Sequence, residues 1–96
     1  MENVTLELND NLKGAFFIKE GEEKLGEMAV SITGDKLIVY HTEVLPKAEG
    51  KGLAKDMLIA MVDYARTKSL KVIPLCPYVH AQFERHPDEY IDVWKS

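Results

Sequence analysis

Cysteine is almost missing from this 96-residue chain, where Cys76 stands alone. A single thiol excludes an internal disulfide framework and suits a reducing compartment, so a cytoplasmic location is expected. No grouping of Cys and His has the spacing of a structural zinc site, and no metal is expected. Long apolar runs are also missing, and nothing approaches the length needed to cross a membrane. The opening residues, MENVTLELND, have neither a basic start nor an apolar segment, so no secretion signal is expected. Excess positive charge is missing too. The formal net charge of -4 argues against nonspecific binding to nucleic acid.

What remains is an ordinary globular mixture, 46% hydrophobic and 29% charged, with no repeat or low-complexity tract. The length suits one domain, residues 1–96, with a modest core and a thin margin of stability. Charge is unevenly spread. Residues 1–45 hold nine acids against four lysines, whereas residues 46–71 hold six bases against three acids. A positive segment inside an acidic chain points to a compact anion site or to a lysine-rich solvated helix.

The first half reads as strands. VTLEL alternates, with Val4, Leu6 and Leu8 on one side. GAFFIKE, KLGEMAVSI (24–32) and KLIVYHTEV (36–44) follow, separated by short polar turns, the pattern of an antiparallel meander. After Pro46 the period changes. Leu53, Met57, Met61 and Ala65 recur at spacing four, widened by Leu58 and Tyr64, which predicts an amphipathic helix from about 50 to 68. LKVIPL then reads as a buried strand, and a strand–helix–strand order makes it a parallel neighbour of the preceding strand. Pro77 opens a short second helix, PYVHAQFER, which Pro87 should end. The tail carries Tyr90, Ile91, Val93 and Trp94, enough apolar surface to dock on the body. The fold class is α+β.

The segment LPKAEGKGLAKDM concentrates glycine and lysine where the long helix begins. Free backbone N–H groups at a helix start, reinforced by the helix dipole, favour phosphate. Gly50 and Gly52 let an anion approach the main chain, and Lys47, Lys51 and Lys55 add charge. A diphosphate suits this arrangement; the alternative is that the glycines only turn the chain into the helix. Neither the P-loop nor the dinucleotide fingerprint fits, since no Ser or Thr follows the lysine and residue 55 is not small.

A strand followed by Q/R-x-x-G-x-G/A at a helix start resembles the acetyl-CoA loop of the GCN5-related N-acetyltransferases, here Lys47-Ala48-Glu49-Gly50-Lys51-Gly52. HTEV, GKGLAKDML and VIPLCPYVHAQFERHP extend the resemblance over nearly the whole chain, towards a small single-domain branch. The resemblance implies a minimal fold of that family. It implies that backbone amides of Gly50, Lys51, Gly52, Leu53, Ala54 and Lys55 hold the diphosphate of acetyl-CoA. It also implies that the strand carrying Thr42 and Val44 pairs with the pantetheine arm, and that this strand and VIPL splay to admit the thioester. Three departures stand out. The leading Q/R is Lys47, the pair of helices that larger members insert after the first strand is absent, and the tyrosine position of the short helix falls on Arg85 or Glu84.

Transfer of acetyl to an amine needs a proton acceptor, an oxyanion site and room for the departing thiolate. Cys76, before Pro77, is placed to cap the short helix, where the dipole favours the attacking thiolate; it also suits a small packed core residue. His41 is a candidate base, with Glu43 on the same strand face to orient it. Tyr78 is a candidate proton donor. His80 and His86 look peripheral, and Met57 and Met61 read as core. The expected activity is acetyl-CoA-dependent N-acetylation of an amine. A noncatalytic CoA-binding module and a cofactor-free interaction domain are the alternatives. Neither the acceptor nor the oligomeric state is legible.

Overall fold

The computed structural model describes residues 4–95. Five strands form one sheet in the order β1-β2-β3-β4-β5: β1 Val4–Leu8, β2 Lys13–Glu20, β3 Glu23–Thr33, β4 Lys36–Val44 and β5 Lys71–Pro74. The first four pair antiparallel as the polar turns predict, and β5 lies parallel to β4. The crossover between them is α1, Leu53–Lys68, followed after β5 by α2, Pro77–Arg85, and α3, Pro87–Tyr90.

The period-four stripe of α1 is its buried face: Leu53, Met57, Leu58, Met61, Val62 and Ala65. These side chains join Phe16, Ile18, Met28, Val30, Leu37 and Val39 of the sheet, and Val79 and Phe83 of α2, in one core cluster. Both longer helices therefore share a core with the same sheet face. No helix of the described residues is long and apolar enough to cross a membrane.

Three boundaries differ from expectation, each for a backbone reason. The helix begins at Leu53 and not near 50, because Gly50 and Gly52 have φ of 86° and 78°, incompatible with a right-handed helix. Lys51 therefore precedes the helix and shares no helix face with Lys55. Pro87 does not merely end α2; it opens α3 from the first-turn position, where a missing N–H leaves nothing unpaired. In the tail, Tyr90 and Val93 are buried, but Ile91 is 74% exposed. The tail is anchored instead by a bridge between Val72 and Trp94 and by Arg66 paired with Asp92 at 2.8 Å.

Ser69 caps the C-terminus of α1 with φ of 57° and ψ of 42°. A side chain is strained there, and the serine is exposed. Ser69→Gly should stabilise the fold by about 0.5–1 kcal/mol, read as a rise in the urea midpoint at constant slope. A lower midpoint would show that the strain is compensated.

Candidate active site

β4 and β5 run together only from Lys36 opposite Lys71 to Val39 opposite Pro74. There β5 ends, while β4 continues to Val44. The last main-chain link is Cys76 N–H donating to the Val39 carbonyl at 2.9 Å, after which the chain turns away into α2. The two elements thus part in a V. On its other edge β4 accommodates one extra residue, Tyr40, because Ala29 faces His41 while Val30 faces Val39. This bulge resets which residues of β4 point to the core.

The loop after β4 enters a short 3-10 turn, Pro46–Ala48, and then the two left-handed glycines. Gly52 is the N-cap of α1 and offers no side-chain cap. The first main-chain bond of the helix is Asp56 N–H to the Gly52 carbonyl at 3.0 Å. Among the described residues, no main-chain carbonyl accepts from the N–H groups between Gly50 and Lys55. A Cβ added at Gly50 or Gly52 would meet no atom within 4 Å, so the loop presents bare backbone outward. These donors border a cleft of about 310 Å³ whose other walls are Val44, Ala48, Glu49, Leu53 and Tyr78. The fold therefore brings the end of β4, the glycine loop and the first turn of α2 to one opening. The unpaired donors and the dipole of a 16-residue helix fit a diphosphate.

Lysine is placed differently from expectation at one position. Lys47 pairs with Glu23 at the β2–β3 turn, which pins the loop to the sheet and engages the charge. Lys51 and Lys55 are exposed beside the cleft, and Lys55 lines it.

Cys76 is the N-cap of α2, as its place before Pro77 predicts, but its thiol makes no cap bond. Sγ turns to Thr42 Oγ1 at 3.3 Å instead, and the residue is only 1% exposed. Tyr78 is half-buried on the cleft wall. Burial raises its pKa above the usual phenol value, Cys76 adds to the rise and Arg85 opposes it, so the phenol keeps its proton at neutral pH. His41 lies on the other side of β4. Thr42 faces buried Met28, so His41 and Glu43 project to the sheet face opposite the helices. They approach each other at 3.4 Å, His41 Nε2 to Glu43 Oε1, and both are exposed. The site residues thus form two sets, Thr42, Cys76 and Tyr78 on the helix side, His41 and Glu43 on the open side. Among the described residues no three His, Cys, Asp or Glu side chains are grouped to hold a metal ion.

Sequence reasoning missed Glu23 as the partner of Lys47 and Thr42 as the partner of Cys76. The first contact joins residues 24 apart and the second residues 34 apart, and neither leaves a local pattern.

A family model described as GCN5-related N-acetyl-transferase matches residues 15–93. The solution structure of a GCN5-like protein from Staphylococcus aureus superposes with a TM-score of 0.71 at 28% identity, covering 100% of this chain and 92% of that one. The crystal structure of a ribosomal-protein-alanine N-acetyltransferase from Brucella melitensis shares the fold, with a TM-score of 0.64 at 20% identity. It matches over 91% of this chain, which spans 64% of the Brucella chain. No curated protein matches by sequence.

Proposed function

The chain belongs to the GCN5-related N-acetyltransferases, a family of acyltransferases, and we propose that it moves an acetyl group from acetyl-CoA to an amine. The observation that carries this reading is the run of unpaired N–H groups from Gly50 to Lys55 opening on a cleft shared with Val44 and Tyr78. Those amides hold the diphosphate, and exposed Lys51 and Lys55 supply the charge. The free edge of β4 from Thr42 to Val44 hydrogen-bonds the pantetheine arm, because β5 has already left it. Acetyl-CoA supplies the activated thioester.

The amine arrives from the open sheet face, where His41 takes its proton and Glu43 steadies the imidazolium. The amine nitrogen bonds to the acetyl carbon and the C–S bond breaks. Tyr78, protonated at neutral pH, gives its proton to the departing sulfur. It is reprotonated as the newly bonded nitrogen loses its extra proton to become the amide, while His41 releases its proton to solvent. The geometry favours direct transfer over an acyl-enzyme, since Cys76 is buried and its sulfur engaged by Thr42. That same burial, with Arg85 or Glu84 at the tyrosine position of larger relatives, favours a noncatalytic CoA-binding module as the second reading.

Titration calorimetry with CoA at moderate salt tests the cofactor site, and no binding would eliminate both readings. Incubation with acetyl-CoA and a panel of amines should release thiol only when an acceptor is present. Mass spectrometry after acetyl-CoA alone should find Cys76 unmodified. An acetyl label there, abolished by Cys76→Ser, would replace direct transfer with a cysteine relay. Binding without thiol release for any amine would leave the noncatalytic module.

A further inference from the structure

Ser31 is the one hydrophilic residue buried among the described residues, at 3% exposure. It does not face the helices. Val30 and its partner Val39 belong to the core, so alternation turns Ser31 to the open sheet face, where a residue is buried only by what lies over it. Its hydrogen-bond partner there is the Tyr40 hydroxyl, 2.7 Å from Ser31 Oγ. Tyr40 is the extra residue of the β4 bulge, which sets Tyr40 and His41 side by side opposite Ala29. Ser31 pairs with Ile38, three residues before His41, so the bond draws the phenol ring along the sheet away from the imidazole. The His41 side chain is left 52% exposed, with Glu43 beyond it along the strand at 3.4 Å.

We propose that the Ser31–Tyr40 hydrogen bond is a latch that holds the aromatic ring off His41 and keeps the acceptor side of the site open. The inference rests on His41 being the base proposed above, reached by the amine from this face. A tyrosine side chain has a few staggered positions at χ1, and a hydrogen bond to the neighbouring strand selects one of them. Ser31 enforces that selection, because releasing the phenol would leave a buried hydroxyl without a partner. Freed of the bond, the ring can turn onto His41 and cover the nitrogen that takes the proton. An edge-on contact of this kind already joins His80 to Trp94, with ring centroids 5.9 Å apart. Tyr40 and Ser31 are thus positioning residues for the acceptor step. Neither lines the cleft of the glycine loop.

The test compares Tyr40→Phe, which breaks the latch and keeps the ring, with Tyr40→Ala, which removes the ring altogether. Thiol release is followed with acetyl-CoA and the fastest acceptor among Nα-acetyl-lysinamide, spermidine and an alanyl peptide; calorimetry gives CoA affinity. Tyr40→Phe should lower kcat/KM for the amine by at least about tenfold with CoA affinity unchanged, since only the acceptor side is obstructed. Tyr40→Ala, although the harsher substitution, should stay within about threefold of the wild type. A merely structural tyrosine predicts the reverse order. The double variant Ser31→Ala/Tyr40→Phe should regain the urea midpoint lost in Tyr40→Phe, because no buried hydroxyl is then unpaired, but it should not regain amine activity. Proton NMR reads the latch without turnover: a nuclear Overhauser contact between the ring at position 40 and the His41 ring is expected in Tyr40→Phe and not in the wild type. Absence of that contact in Tyr40→Phe, or an alanine variant slower than the phenylalanine one, would overturn the latch. A wild type that binds CoA but releases no thiol with any of the amines would overturn the transfer reading instead, and the ring contact would still decide the latch.

Discussion

Gly52→Val is expected to weaken CoA binding by at least about tenfold, equivalent to ~1.4 kcal/mol. Two effects act together. The valine side chain would stand in the open space before the unpaired amides, where the proposed diphosphate site lies. Its β-branch is also poorly suited to φ of 78°, so the N-cap would tend to shift and disperse the donors. Gly34→Val controls for the general cost of a β-branch at positive φ. Gly34 has φ of 59° and equally open surroundings, but it lies in the β3–β4 turn, at the end of β4 away from the loop. It should cost stability and leave CoA affinity intact. Unchanged affinity in Gly52→Val would remove the loop from the binding site.

The largest stability effect is expected at Phe83. Its ring is 0% exposed, stacks on Tyr90 with centroids 4.6 Å apart and meets Trp94 edge-on at 5.7 Å. Through this ring α2 is tied to α3 and to the tail that bridges β5. Phe83→Ala should destabilise the fold by about 3–5 kcal/mol, because the transfer energy is lost and a cavity remains. For a domain of this size the total is only about 5–15 kcal/mol, so the variant should melt far below the wild type. Denaturant unfolding followed by Trp94 fluorescence measures it. A loss under about 1 kcal/mol would show that α2 repacks and that the aromatic cluster is not what holds the tail.

Local patterns carried most of the architecture. Alternation in VTLEL and the polar turns marked the meander, and the period-four stripe from Leu53 marked the crossover helix. The bare glycine backbone before α1 was equally legible in LPKAEGKGLAKDM, although the glycines by themselves fit either an anion site or a simple turn into the helix. The resemblance to the GCN5-related family agreed with both. Less legible were the exact start of α1, which left-handed dihedrals delay to Leu53, and the second helical turn after Pro87. Neighbouring His41 and Thr42 illustrate the limit most clearly. The sequence places them next to each other on one strand, but alternation across the sheet sends Thr42 to the thiol and His41 to the opposite face.

By itself the amino-acid order determined what depends on neighbours: strand and helix periods, the glycines that bare a backbone, and the proline that makes Cys76 a helix cap. Only the tertiary structure decided which side chains share a space. The bulge at Tyr40 sets the facing of Thr42, the early end of β5 opens the V, and the chain's return through α1 puts Cys76 across from Thr42 and Tyr78 beside the loop. The physical reason is that short-range dihedral and hydrophobic preferences repeat every two to four residues, whereas a hydroxyl meeting a thiol 34 positions away is fixed by packing of the whole sheet.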